Sequence, residues 1–301
     1  MDKIFSSKPG RRRFLFTISI LILLLLVIRY GVLPIEAISN AANVNIESFI
    51  DKFITSVFTA VIVGYFLFWI IADEKKKQIE FTESRSEIEK YLSNSRKTTD
   101  SWLFNGGLGR YTKSDTIPKL SEHALKERKT IYINIIVLHP FNISLLNKYI
   151  DFRLSVESPN KRAKWTILEA QSEILATIIT ALYYKKHNQF LNISIKVKDF
   201  FTLSRMDISN SLAVITREDP TIPSIILEKD SFMYKHYSEE FQQVSRQSQS
   251  LDYTFSSVEA PTIQEIQKCL SSMFPQDTIC ADLLDNIFNK FKTPENPFAS
   301  W

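Results

Sequence analysis

The chain has 301 residues, of which 45% are hydrophobic, and it carries a formal net charge of +4. The positive excess lies within residues 1–77, which hold 10 basic and 6 acidic residues, while the remainder holds 27 of each. A balanced remainder argues against a general nucleic-acid footprint, and its length leaves room for one main domain beyond the first quarter of the chain.

Two apolar runs near the start, 14–35 and 53–72, predict a pair of membrane-spanning helices. A helix needs about 20 largely apolar residues to cross a hydrocarbon core of about 30 Å, and the second run meets that length unaided. The first run meets it when Arg29, as a membrane-interface residue, reaches out to the lipid headgroups. We therefore expect residues 1–77 to form a two-helix transmembrane hairpin.

Positive residues flank the two runs on one side only. Arg11 to Arg13 precede the first run and Lys75 to Lys77 follow the second, whereas no lysine or arginine lies between Arg29 and Lys52. Because positive residues near membrane ends stay in the cytoplasm, this pattern predicts a two-span protein with both termini cytoplasmic. The basic cluster also fits a cleaved export signal, but the second apolar run and a poor cleavage region count against that alternative.

Small residues recur every four positions in the second run, at Ser56, Ala60 and Gly64. In a helix this spacing gives a narrow ridge against which another helix can pack closely. The partner helix is either the first run of the same chain or a helix of another copy in a homo-oligomer. The two runs contain no acidic residue, which argues against a proton relay or a transporter.

After residue 77 the sequence becomes polar and then alternates between two patterns. Residues 78–98 are charged and uninterrupted by Gly or Pro, so we expect a helical stalk. Residues 99–248 alternate β-branched runs with helical periodicities, which is typical of a cytoplasmic α/β domain with a mixed sheet flanked by helices. A C-terminal helical tail is predicted over 249–301.

The predicted strands are 101–104, 130–138, 189–197, 212–216 and 225–227. The predicted helices are 117–129, 143–153, 165–186, 232–247, 262–274 and 279–291.

Known catalytic and cofactor motifs are missing from the sequence. The four histidines and two cysteines match no metal-ligand spacing, and no GxSxG, GxxxxGK[ST] or GxGxxG motif occurs. We therefore predict no catalytic residue, no metal and no cofactor.

One glycine cluster stands out in a chain with six glycines, at Gly106, Gly107 and Gly109, followed by Arg110. Glycines followed by an arginine can hold a phosphate through backbone N–H groups and a guanidinium. The alternative is a loop at a strand end that needs a positive φ angle.

The run WLFNGGLGRY (102–111), the strand ending in LHP (138–140) and the stretch FFTLSRMDISNSLAVIT (200–216) resemble a phospholipase-D-like domain over about 98–240. Active members carry HxKxxxxD on the corresponding hairpin, where the histidine attacks a phosphodiester and the lysine holds the phosphate charge. No HxK occurs in this chain. The resemblance therefore implies the fold and a ligand-holding pocket without the nucleophile, in a protein that is not an enzyme.

Arg205 and Asp207 lie in the stretch that corresponds to the catalytic hairpin. Together with Gly106, Gly107 and Arg110 they form our candidate pocket for an anion or a regulatory ligand.

A membrane hairpin joined to such a degenerate domain also resembles the two-transmembrane effectors of retron-type anti-phage systems in bacteria. That resemblance implies an inner-membrane toxic effector of abortive infection, held inactive by a reverse transcriptase and its RNA–DNA product. On release it would act on membrane lipid. The alternatives are a membrane-anchored sensor or scaffold, and a phosphodiesterase with an atypical phospholipase-D-like site.

Overall fold

The computed structural model describes residues 79–156, 165–219, 222–256 and 259–296, and, nearer the start, 16, 20, 23, 27, 48, 51–59, 61–63 and 66. The chain divides into two compact units, Met1–Lys76 and Lys77–Trp301.

The first unit does not support the predicted membrane hairpin. Across the described ranges, no helix combines the length and the apolar character that crossing a membrane demands. The prediction of a membrane hairpin in the fold class, and of a two-span inner-membrane location, is therefore corrected.

The predicted helix-packing ridge is described only in part. Ser56 lies on the helical stretch 51–59 with its side chain exposed. Ala60 and Gly64 lie outside the described residues, and so does the predicted interface residue Arg29.

An eight-stranded mixed sheet forms the centre of the second unit. Its strands are β1 (Ile79–Thr82), β2 (Ser101–Asn105), β3 (Ile131–Leu138), β4 (Leu191–Lys198), β5 (Ser204–Ser209), β6 (Leu212–Arg217), β7 (Ser224–Glu228) and β8 (Gln249–Leu251). They lie in the order β1-β7-β6-β5-β2-β3-β4-β8. β2, β3 and β4 are parallel, and all other neighbours are antiparallel. The α/β architecture expected for this part of the chain, a mixed sheet flanked by helices, is what the structure shows.

Helices cover both faces of the sheet. They are α1 (Arg85–Arg96), α2 (Ile117–Glu127), α3 (Ile143–Val156), α4 (Ile167–His187), α5 (Phe232–Gln247), α6 (Ile263–Met273) and α7 (Ala281–Lys292), with a π-helical turn at Thr112–Thr116 before α2. α4 begins after Thr166, whose hydroxyl accepts a hydrogen bond from the Glu169 amide, and it ends in three basic residues. Both ends therefore match the helix dipole.

Two hydrophobic cores lie on opposite faces. The main core packs the sheet against α4 and its neighbours, and it includes Trp102 and Phe104 of β2. The second core lies under α5 and includes Met206 and Ile208 of β5. Because side chains alternate along a strand, Arg205 and Asp207 point to the side of the main core.

Two segments differ from their predicted form. The stretch predicted as a stalk, 78–98, contains β1, which pairs with β7, and then α1, which begins after its N-cap Ser84. Ile79 and Phe81 alternate with polar neighbours, and this spacing fits an edge strand as well as it fits a sparse helix face. In the predicted C-terminal tail, β8 pairs with β4, and α6 and α7 bury apolar side chains in the main core.

Candidate functional site

A small cavity opens at the carboxyl end of β2, on the side of the main core. Its volume is about 80 Å³. A water molecule occupies about 30 Å³ of liquid and drug-sized ligands need about 300–1,000 Å³, so the cavity suits a few waters or one small ion. The charged and hydroxyl side chains that line it are Arg110, Tyr111, Tyr149, Arg153, Arg205, Asp207, Thr216 and Glu218.

The structure brings the five predicted pocket residues together. Gly107, Arg110, Arg205 and Asp207 line this cavity. Gly106 lines a smaller adjoining cavity, which also includes Gly107 and Arg205. Residues separated by about 100 positions in the sequence meet here because β5 runs antiparallel beside β2.

Sequence reasoning missed Tyr149, Arg153, Thr216 and Glu218, which also line the cavity. Tyr149 and Arg153 come from α3, where they lie one helical turn apart. Thr216 and Glu218 come from the end of β6 and the residue after it, and they share a face of the strand. The sequence shows polar residues one helical turn apart in α3 and two residues apart at the end of β6. Only the order of the strands shows that these residues meet at one cavity.

Side-chain contacts hold the three arginines of the cavity in place. The Nε atom of Arg205 donates a hydrogen bond of 2.8 Å to the Thr216 hydroxyl. Arg153 and Arg110 both lie against the Trp165 ring, with guanidinium carbons 4.2 and 5.6 Å from its centroid. Cation–π contacts of this kind orient the plane of a guanidinium, whose N–H groups donate from the edge of that plane.

Glu218 is stabilised as a carboxylate. The Tyr149 hydroxyl donates to its Oε1 atom at 2.9 Å, and the Arg153 Nη1 atom lies 3.5 Å from its Oε2 atom. Burial raises the pKa of Glu218, but the positive charges of Arg153 and Arg205 and the bond from Tyr149 outweigh burial and hold the pKa below its ordinary value.

Asp207 behaves in the opposite way. Its side chain accepts a 3.3 Å hydrogen bond from the indole N–H of Trp102, and the residue is 4% exposed. Burial raises the pKa of Asp207 to about 6, although Arg205 and Trp102 pull it down. With both carboxylates ionised, the three arginines leave the cavity lining with one net positive charge, and protonation of Asp207 adds another.

The glycines contribute space more than hydrogen bonds. A Cβ atom on Gly107 would lie 2.5 Å from the Tyr149 hydroxyl oxygen, so only glycine admits this ring to the cavity wall. Gly109 has a φ angle of +75°, the conformation expected of a loop at a strand end. The Gly106 N–H donates to the Ile136 carbonyl and is not available to a ligand. Any anion would therefore be held mainly by guanidinium groups.

Histidine and cysteine are missing from the lining described for this cavity. All four histidines lie in described segments, and none of them lines either cavity. Cys269 is in the main core, where burial raises the pKa of its thiol to about 12, and Cys280 is exposed just before α7. Burial also raises the pKa of the Tyr149 hydroxyl. Within the described ranges, no group of His, Cys, Asp and Glu side chains is arranged to hold a metal ion.

Comparisons with known proteins give only distant likenesses. No family model and no curated protein matches the chain. Among solved structures, TrmBL2, an archaeal chromatin protein described with a novel mode of DNA binding, is 10% identical with a TM-score of 0.34, over 68% of each chain. Nuc, a phospholipase D family member from Salmonella typhimurium, is 10% identical with a TM-score of 0.33, over 58% of this chain and 97% of its own. A phospholipase D family member is thus among the structures this fold resembles, at a distance that carries no functional argument.

Proposed function

We propose that the second unit binds a small phosphate-class anion without hydrolysing it, as the ligand-responsive part of a regulatory protein. The observation that carries this proposal is the convergence of Arg110, Arg153 and Arg205 on one cavity of about 80 Å³. Arginine is the side chain best suited to planar, two-point recognition of phosphate oxygens.

The charge balance of the cavity supports an anion over a cation. Two carboxylates face three guanidinium groups, and one of them, Glu218, is already bonded to Tyr149 and paired with Arg153. Its charge is therefore largely offset before any ligand arrives. Asp207, with its pKa of about 6, is the more readily neutralised of the two, and an arriving anion would favour its protonation.

Binding without turnover is supported by the chemistry of the lining. An attack on phosphorus needs a nucleophile that is poised at neutral pH. The hydroxyls that line the cavity are those of Thr216, Tyr111 and Tyr149. The Thr216 hydroxyl accepts a hydrogen bond from Arg205, and burial raises the pKa of the two tyrosines. Neither would ionise readily beside the carboxylates that they contact.

Phosphate affinity tests the proposal directly. Titration calorimetry of the full chain with inorganic phosphate, at low ionic strength, should show a single site. Arg205→Gln should weaken binding about tenfold or more, because a hydrogen bond to a charged group is typically worth about 1.5–3 kcal/mol. Arg205→Lys keeps the positive charge but lacks the forked guanidinium, so its affinity for phosphate should lie between those of the wild type and Arg205→Gln.

Arg217→Gln is the matched control, because Arg217 follows Thr216 on the same strand but is exposed and faces away from the cavity. It should bind phosphate as the wild type does. If Arg205→Gln and Arg217→Gln weaken binding equally, or if the wild type binds no phosphate, the proposal is wrong.

A phosphodiesterase with an atypical site is the second candidate, and Asp207 favours it. A carboxyl group with a pKa of about 6 beside Arg205 has the protonation range of a general acid. Incubation with bis(p-nitrophenyl) phosphate separates the two functions. Release of p-nitrophenol by the wild type, abolished in Asp207→Asn, would establish the enzyme; no release from protein that binds phosphate would support the binding function.

The wider role stays a prediction. An effector of retron-type defence, held inactive by a reverse transcriptase and its RNA–DNA product, remains a proposal that rests on the resemblance alone. A sensor or scaffold that recruits other proteins fits the same binding unit. Affinity purification of the chain from its native cells would separate them, since only the effector proposal requires a reverse transcriptase and its RNA–DNA product to co-purify.

A further inference from the structure

Arg110 belongs to the cavity but also contacts the end of the described chain. Its Nη2 atom lies 3.5 Å from the Oε2 atom of Glu295, which follows α7. Its Nε atom lies 3.5 Å from the Oε1 atom of Glu173 on α4. The Arg110 side chain is 24% exposed and that of Glu295 is 83% exposed, so this carboxylate approaches the guanidinium from the solvent side.

Glu173 does not depend on Arg110 for its counter-charge. Its Oε2 atom accepts a 2.7 Å hydrogen bond from Lys113, and its Oε1 atom accepts a 3.0 Å bond from Lys290 of α7. Lys290 also donates to Glu169 at 2.7 Å. Those short bonds hold α7 on α4, and the longer approach of Arg110 adds a third cation to a carboxylate that already has two.

Arg110 can therefore exchange its contact with Glu173 for a contact with another anion at a low cost in free energy. Its guanidinium is placed by the Trp165 ring, a contact that constrains the plane and leaves the N–H edge to choose its partner. The described partners of that edge are Glu173 and Glu295, and an anion in the cavity would be a third.

We propose that Glu295 is an internal competitor for Arg110, so that an anion in the cavity and the seated C-terminal segment (293–296) oppose each other. This inference rests on the proposed function, since it concerns the same cavity. The anion draws the guanidinium towards Arg205 and Arg153, and Glu295 loses its counter-charge. The segment after α7 thereby reports whether the cavity is occupied.

Linkage sets the expected size of the effect. If the Glu295–Arg110 contact lowers the affinity for phosphate by some factor, bound phosphate lowers the equilibrium constant for docking of the segment 293–296 by the same factor. An exposed ion pair contributes little, so removal of Glu295 should tighten phosphate binding about two- to fivefold. The effect should shrink as added salt screens the pair.

The test compares two variants of the full chain with equal charge change. Glu295→Gln removes the competitor, and Asp285→Asn removes an exposed carboxylate of α7. Calorimetry with inorganic phosphate should show tighter binding for Glu295→Gln and a wild-type affinity for Asp285→Asn. Hydrogen exchange should show faster exchange in the segment 293–296 of the wild type when phosphate is saturating, and no phosphate effect there in Glu295→Gln.

The outcomes separate this inference from the proposed function. If the wild type binds phosphate but the two variants have the same affinity, the competition is refuted and the binding function stands. If neither the wild type nor the variants bind phosphate, both are refuted. Tighter binding in Glu295→Gln with unchanged exchange in 293–296 would also overturn the competition, because reciprocity requires both effects.

Discussion

The two faces of the sheet treat buried charge differently. On the side of α4, Glu173 receives Lys113 and Lys290, and these charges outweigh burial and hold the pKa of Glu173 below its ordinary value. On the side of α5, Lys198 is 1% exposed and bonds to the neutral oxygens of Asn105 at 2.6 Å and Thr202 at 3.4 Å. There, burial lowers the pKa of Lys198 to about 8. Glu173 keeps its charge because two ammonium groups outweigh burial, whereas Lys198 moves towards neutrality because its polar partners and the charge of Glu240 do not.

The largest effect should come from removing the carboxylate on the compensated side. Glu173→Gln leaves the Lys113 ammonium, 2% exposed, without its counter-charge. Breaking a buried ion pair from one side typically costs about 3–5 kcal/mol, and we expect that loss in the free energy of unfolding by urea. Glu169→Gln is the control on the same helix, because Glu169 is more exposed and shares only Lys290. Glu169→Gln should lower the free energy of unfolding by less than about 1 kcal/mol. Equal losses in Glu169→Gln and Glu173→Gln would contradict the prediction.

Lys198 tests the uncompensated side through its pH dependence. Its pKa is lower in the folded state than in the unfolded chain, so folding disfavours its protonated form. The wild type should therefore gain stability as pH rises from about 8 towards about 10.4, by roughly 3 kcal/mol in total, while Lys198→Met lacks this gain.

Urea unfolding at pH 7, 8, 9 and 10 would measure the difference between wild type and Lys198→Met. Lys196→Met is the matched control on the same strand, where the lysine bonds to the Ser245 carbonyl and is less buried. If the free energy of unfolding depended on pH in the same way for wild type and Lys198→Met, the pKa of Lys198 would not be lowered in the folded state, which would contradict the prediction.

Asp207 and Glu218 give a second comparison, because both carboxyl groups line the cavity but only the pKa of Glu218 is held below its ordinary value. The Asp207 pKa of about 6 exceeds the unfolded value, so folding favours its protonated form. The wild type should lose roughly 2–3 kcal/mol as pH rises from about 4 to about 6, relative to Asp207→Asn.

The measurement for Asp207 is the free energy of unfolding at half-unit steps between pH 4 and pH 7. Asparagine keeps an oxygen that can accept from Trp102, so the difference reports the charge. A constant offset between wild type and Asp207→Asn across this window would show that Arg205 compensates Asp207 as fully as Glu218 is compensated.

Local patterns predicted the interior of the second unit well. The β-branched run predicted at 130–138 is β3, Ile131–Leu138, and the apolar helix predicted at 165–186 is α4, Ile167–His187. Most of β3 and the middle of α4 are buried, so burial and local preference agree. The strands β1 and β5 were not predicted, because IEFT lies in a charged stretch and the alternation in SRMDIS includes only two apolar residues. β1 forms by pairing with β7, and β5 forms by pairing with β2 and β6. Pairing between distant segments cannot be predicted from a short stretch of sequence.

The candidate site shows the same limit. The glycines and Arg110 form a local cluster that sequence reasoning could find, and Arg205 and Asp207 were found through a resemblance. Arg153 and Glu218 meet only because α3 and β6 end at the same cavity. The membrane prediction rested on counting apolar residues, and it was wrong because no helix in the described residues is long and apolar enough to cross a membrane.

The contribution of α7 to the main core has a consequence for synthesis on the ribosome. Leu283, Leu284 and Ile287 close that core over α4, although the sheet and α4 are made much earlier. Until α7 clears the exit tunnel, these contacts are missing and the apolar surface of α4 that they cover faces water, at a cost of about 25 cal/mol per Å². The nascent chain therefore cannot complete its main core until α7 has docked, and it should recruit chaperones up to that point.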